Sequence, residues 1–216
     1  MDIHTIPGVD YDSNVYVIMG KIPTIIDTGT GFHSGIILES IQKYIRYDQI
    51  QQILLTHEHY DHVGGTLDLL QASKGKAKIF AHKNVVSKLQ EGKSTFAEML
   101  GGKMPKLKVD IPLSDREQLI IGDQSFEVLA TPGHSIGSLC FYNKKEEVLF
   151  SGDTIFSDGG FGRYDFPGGD FNTLLNSIEQ LASLDVSNLY PGHGCIVIQY
   201  GKNHVLKTLY NIRSLL

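Results

Sequence analysis

The chain has 216 residues, 41% of them hydrophobic, and a formal net charge of −5, which supplies one sizeable core and no basic stripe for a phosphate backbone. Long nucleic acid partners are therefore disfavoured. No run of about twenty apolar residues occurs, and Met1-Asp2-Ile3-His4 lacks the basic-then-apolar plan of a secretory signal, so a membrane span is not expected and a cytoplasmic protein is.

Asn14 to Met19 and Thr24 to Ile26 run apolar on either side of Gly20-Lys21-Ile22-Pro23, which predicts a hairpin closed by Asp27-Thr28-Gly29-Thr30-Gly31. Ile36, Ile37, Ile41 and Tyr44 recur at helical spacing and predict a helix over one sheet face, before a strand from Ile50 to Leu55. That strand feeds Thr56-His57-Glu58-His59-Tyr60-Asp61-His62. In extended backbone positions i and i+2 point the same way, so His57 and His59 converge. Asp61 and His62 are expected in the turn entering a helix that carries Leu67, Leu69 and Leu70, pointing back into the same cleft.

Ala77 to Ala81 reads as a further strand, and residues 83 to 108 as a less regular stretch with helical patches. Excursions of that kind often line binding clefts, so Phe96, Met99, Leu100 and Met104 are candidate pocket walls. From residue 118 to 152, strand-like runs are broken by Gly122-Asp123, Thr131-Pro132-Gly133 and Asn143-Lys144-Lys145. Phe126 to Ala130 leads into His134, Val148 to Ser151 into Asp153, and Asn188-Leu189-Tyr190 into His193. Leu174, Leu175, Ile178, Leu181 and Leu184 predict an amphipathic helix, and His204 to Leu216 a closing one. Cys140 falls in a core-like strand, and Cys195 in a Gly-bounded turn outside the donor set.

Imidazole and carboxylate together suit zinc, iron or manganese in a site that leaves room for water. His57, His59, Asp61, His62, His134, Asp153 and His193 are more donors than one tetrahedral ion needs. They argue for two ions, about 3.5–4 Å apart and bridged by a carboxylate, with Asp153 the candidate bridge. Positions 57 to 193 must then meet at one site, so a single domain over residues 1–216 is expected.

At these residues the chain resembles the metallo-β-lactamase superfamily, whose H-x-H-x-D-H signature is matched from His57 to His62. Thr131-Pro132-Gly133-His134-Ser135, Ser151-Gly152-Asp153-Thr154, Tyr190-Pro191-Gly192-His193-Gly194 and Ile26-Asp27-Thr28-Gly29 are similar to its other motifs. The resemblance implies an α/β (α+β) fold, a four-layered αββα sandwich. It also implies that His57, His59 and His134 hold a first ion, Asp61, His62 and His193 a second, and that Asp153 joins them. Asp27 would steady the ligand loop from behind. Phe161-Gly162-Arg163-Tyr164-Asp165 resembles the glyoxalase II and persulfide dioxygenase branch, with Arg163 either a substrate contact or an ion-pair brace. Only 23 residues follow His193, so the helical glutathione-gripping domain of glyoxalase II proper is not expected, and the pocket must come from loops.

The resulting expectation is a hydrolase with two divalent ions, zinc first and iron or manganese as alternatives, whose bound hydroxide cleaves a small activated carbonyl substrate, foremost a thioester. Asp61 and Asp153 would be its catalytic carboxylates, Asp61 orienting the nucleophile, and Arg163, Phe96 and Met99 would face the substrate. The alternatives are a sulfur oxygenase with a single iron, acting on a persulfide-like substrate, and a metal-binding protein without activity. Partners other than a small molecule are not expected, and the sequence leaves the oligomeric state open.

Overall fold

Val-Tyr-Val-Ile at Val15–Ile18 is β-branched or aromatic at every position, as a strand covered on both faces requires, and it forms β2 with all four residues buried. Strand β1 (Ile3–Ile6) pairs with it antiparallel, as does β3 (Thr24–Ile26) across the predicted hairpin. Helix α1 (Ser34–Gln42) then carries the chain to β4 (Gln52–Leu54), parallel to β3. Strands β5 (Lys78–His82) and β6 (Ile111–Leu113) extend the parallel side, completing a six-stranded mixed sheet in the order β1-β2-β3-β4-β5-β6. Between β4 and β5 lie two short helices, α2 (Tyr60–Val63) and α3 (Thr66–Ala72), and after β5 comes α4 (Val86–Glu91).

The second sheet takes β7 (Gln118–Ile121), β8 (Gln124–Ala130), β9 (Leu139–Asn143), β10 (Val148–Gly152) and β11 (Asn188–Pro191), in the order β11-β10-β9-β8-β7. Helix α5 (Phe171–Ala182) crosses from β10 to the parallel β11, and α6 (Gly201–Arg213) follows. This computed structural model describes residues 1–93 and 96–216. They divide into two compact units, Met1–Leu113 with Ile120–Ser125, and Ser114–Leu119 with Phe126–Leu216.

Each unit has its own apolar core. In the first, Ile37 and Ile41 on α1 and Leu69 on α3 pack with Val15, Val17, Ile25, Ile53 and Ile79. In the second, Leu174, Ile178 and Leu181 of α5 and Val205 and Ile212 of α6 pack with Leu129, Cys140, Leu149 and Leu189. Removing a fully buried side chain such as Ile41 or Ile178 down to Ala costs about 2–5 kcal/mol, a large fraction of a domain's stability margin of about 5–15 kcal/mol.

Several boundaries differ from the sequence expectation. Helix α1 stops at Gln42, and Ile36 is 53% exposed, because Ile37 and Ile41 already fill the inward stripe. Tyr44, beyond the helix, instead stacks on His4 with centroids 3.9 Å apart. Helix α6 begins at Gly201, three residues before the expected start. The irregular stretch 83–108 holds the short α4 and a run of turns; its Ser94 and Thr95 lie outside the described residues.

Candidate metal centre

The first unit contributes four donors from one short loop. Strand β4 ends at Leu54, whose carbonyl accepts from the amide of Asp27, so the residue that follows β3 is held beside the residue that ends β4. Asp27 then spends its carboxylate on the ligand loop: Oδ1 accepts from the Thr56 amide at 2.8 Å, and Oδ2 from Thr56 Oγ1 at 2.7 Å and His62 Nδ1 at 2.8 Å. Asp27 sits at φ 58, a left-handed position that Asp tolerates better than most residues. One turn of helix, α2, suffices to swing Asp61 and His62 back toward His57 and His59.

The three histidines of this loop are buried, with the rings of His57 and His59 4.5 Å apart and those of His57 and His62 4.0 Å apart. His57 and His59 offer ligand atoms within 4.8 Å of each other, and so do Asp61 and His62. Gly64, which follows α2, is required by close approach: a Cβ there would stand 2.1 Å from the Thr30 carbonyl oxygen.

The second unit contributes three donors, each just past a strand end. His134 follows β8, Asp153 follows β10 and His193 follows β11. Oδ2 of Asp153 lies 3.6 Å from Nε2 of His134 and 3.6 Å from Nε2 of His193. Two ligands that each stand about 2.0–2.2 Å from one tetrahedral ion are separated by roughly 3.4 Å, so one carboxylate oxygen sits at ligand-pair distance from two imidazoles at once. His134 Nδ1 is 2.7 Å from the Arg163 carbonyl oxygen, which can only accept; Nδ1 therefore carries the proton and Nε2 the lone pair a cation needs. The donor chemistry of both units thus fits divalent metal ions.

The remaining expected residues are placed as follows. Arg163 directs its guanidinium to Asp165, at 3.0 and 2.6 Å, and over the Phe166 ring at 4.1 Å, while its backbone holds His134. The Phe96 ring meets His59 edge-on at 5.1 Å. Met99 is 77% exposed and Leu100 half-buried, whereas Met104, expected as a pocket wall, belongs to the core of the first unit. Cys140 is buried, and burial pushes its thiol up to about 11; Cys195 is exposed.

Sequence reasoning missed Glu58, which is buried and ion-paired to Lys88 at 3.3 Å. Its place between His57 and His59, on the opposite phase of an extended segment, was the available signal. It also missed Asp12, Thr30 and His33, which no short motif connects.

Histidine and aspartate donors set in the segments that follow strands of mixed sheets point to the metal-dependent hydrolase class. A family model described as the metallo-beta-lactamase superfamily matches residues 8–193, and the chain belongs to that superfamily and has its fold. It is 35% identical over 191 residues to a probable metallo-hydrolase of Methanocaldococcus jannaschii, covering 87% of this chain and 90% of the relative. It is 32% identical over 203 residues to the hydroxyacylglutathione hydrolase GloC of Haemophilus influenzae, covering 90% and 91%. Among solved structures, TTHA1623 in a di-iron-bound form aligns with a TM-score of 0.75 at 30% identity, covering 93% of this chain and 96% of that one. Among the described residues, no helix is long and apolar enough to cross a membrane.

Proposed function

We propose that residues 1–216 act as one metallo-β-lactamase-like domain that hydrolyses a small-molecule thioester of the hydroxyacyl type in the cytoplasm, using two divalent cations. His57, His59 and His134 would hold one ion, Asp61, His62 and His193 the other, and Asp153 both. The observation that carries this reading is the Asp153 oxygen at 3.6 Å from two histidines, the position a bridging carboxylate needs. The hydroxyacylglutathione hydrolase of Haemophilus influenzae, similar over nearly its whole length, supports the thioester. Zinc suits the donors, and the di-iron-bound relative supports iron as the alternative.

When bound, such cations supply Lewis acidity, bringing the pKa of a water toward about 7 and polarising a carbonyl. The protein's part is orientation. Asp27 and the Arg163 carbonyl keep the Nδ1 atoms of His62 and His134 engaged, so each ring presents Nε2 without rotating. Asp61, partly exposed beside His62, would accept a hydrogen bond from the nucleophilic water and so orient it. Phe96 shields His59 from solvent, and Met99 and Arg163 are the remaining substrate-facing candidates.

The test is elemental analysis of purified protein followed by parallel thioester and persulfide assays under air and under argon. Two ions per chain and thioester turnover independent of oxygen are expected. One iron per chain with oxygen-dependent persulfide consumption would replace this reading by a sulfur oxygenase. Full loading with no turnover of any ester, thioester or persulfide would leave a binding protein.

A further inference from the structure

We propose that a cavity of about 440 Å³ beside the ligand loop receives the thiol-side arm of the substrate and selects an apolar arm ending in an ammonium group. It is lined by Asp10, Tyr11, Thr30, Phe32, His33 and Leu100, and the proposal rests on the thioester reading above.

The polar end is a built arrangement. The Asp12 side chain is 0% exposed and accepts from the Thr30 amide at 2.7 Å, from Thr30 Oγ1 and from His33 Nδ1 at 2.8 Å. A carboxylate has only acceptor sites, so the Asp12 contact places a proton on Nδ1. Nε2 lies 3.4 Å from Oδ2 of Asp10, whose side chain is 73% exposed. One imidazole thus stands between two carboxylates, and the cluster is net negative in either state of the ring. A matching ligand brings donors and positive charge; an anionic arm meets repulsion in either state.

The apolar side is supplied by Tyr11 and Phe32, both exposed rings, and by Leu100. Such rings bury an aliphatic or aromatic stem without losing much side-chain freedom.

Continuity with the ligand loop ties the cavity to the chemistry. Ser13, next to Asp12, donates its amide to the Asp61 carbonyl at 3.0 Å, and Thr28 donates to the His62 carbonyl at 2.8 Å. The Phe32 ring lies 5.8 Å from that of Tyr60, which stands between His59 and Asp61 in the chain. Phe96 touches His59, and Leu100 lines the cavity four residues later, its amide donating back to the Phe96 carbonyl. The cavity walls and the segment that carries His59, Asp61 and His62 are therefore joined through shared backbone and ring contacts.

The experiment uses metal-loaded protein and thioesters of one acyl group with three thiols of equal length, ending in dimethylammonium, acetamide or carboxylate. Their uncleavable thioether counterparts are measured in parallel by calorimetry. The ammonium arm should exceed the carboxylate arm in kcat/KM by about tenfold. Asp10→Asn, at an exposed position that leaves the fold intact, should narrow that ratio to under about threefold, and Phe32→Ala should raise KM for all three arms. Equal rates, a preference for the carboxylate, or an unchanged ratio in Asp10→Asn overturns the proposal. If no thioester is cut but the thioethers bind in the expected order, and that order depends on Asp10, the cavity assignment stands and the thioesterase reading falls. Turnover with no arm preference gives the reverse, and neither turnover nor binding removes both.

Discussion

The Nδ1 atom of His134 stands 2.7 Å from the carbonyl oxygen of Arg163, in a segment that also passes over Asp153. Gly162 is where the two meet: a Cβ there would lie 2.0 Å from the Asp153 carbonyl oxygen and 2.8 Å from His134 Nδ1. The G-R-x-D segment therefore works on the site through its backbone, as a strap holding one histidine and one aspartate in fixed relation.

Gly162→Ala should consequently strip the protein of most of its metal. Arg163→Ala should retain metal, since the guanidinium spends itself on Asp165 and Phe166. Elemental analysis after gel filtration separates the two. A fully loaded Gly162→Ala protein would contradict the strap.

Asp27→Asn changes one atom and should weaken metal binding by about 10–100-fold. The side chain keeps its size, and Asn accepts the φ of 58 at this position. Where the carboxylate only accepted from His62 Nδ1, the amide can donate to it, which moves the imidazole proton to Nε2 and removes the lone pair facing the cation. Competition with a chromogenic chelator gives the affinity directly. An unchanged constant would show that Asp27 braces the loop through Thr56 alone.

The placement of the seven candidate donors, five after strand ends and Asp61 and His62 on α2, was legible because ligand chemistry leaves dense local marks: an apolar run from Ile53 to Leu55 before the histidine-rich loop, and a Gly-marked turn after each later strand. What escaped was set by partners far along the chain. Strands β1 and β6 are three or four residues long, with too few positions to show a period, and they exist because β2 and β5 offer open edges. Met104 reads as a loop residue in sequence and as core in three dimensions. The Asp12–His33 contact spans 21 residues and carries no motif. Arg163 was singled out for its side chain, while it is the carbonyl, common to every residue type, that touches a ligand.

Thiol labelling should separate the two cysteines cleanly. Cys140 lies in the core of the second unit, hydrogen-bonded among Thr131, Thr154 and the Ser151 carbonyl, with a thiol pushed up to about 11 by burial. At neutral pH it offers almost no thiolate and no access. Cys195 is exposed. One equivalent of reagent should react with the native protein and the second only after unfolding, with metal content unchanged by the first. Loss of metal on native labelling would make Cys195 part of the site.

Acid should erase one identifiable contribution to stability. Asp170 caps α5: its Oδ1 accepts from Thr173 Oγ1 at 2.6 Å and from the Thr173 amide at 2.8 Å, while its own amide donates to Gly133, next to His134. Those two bonds from Thr173, the hydroxyl first and then the amide, hold its carboxyl below the ordinary 3.8. A carboxylate with a depressed folded pKa stabilises fully above its unfolded value, and the contribution disappears as pH falls through the folded one. The Tm gap between the parent and Asp170→Ala should therefore be constant from neutral pH down to mild acid and then close. Thermal melts of both proteins without metal, taken across that range, measure it without interference from the metal centre. A gap that stays constant into strong acid would mean that the cap acts through its shape rather than its charge.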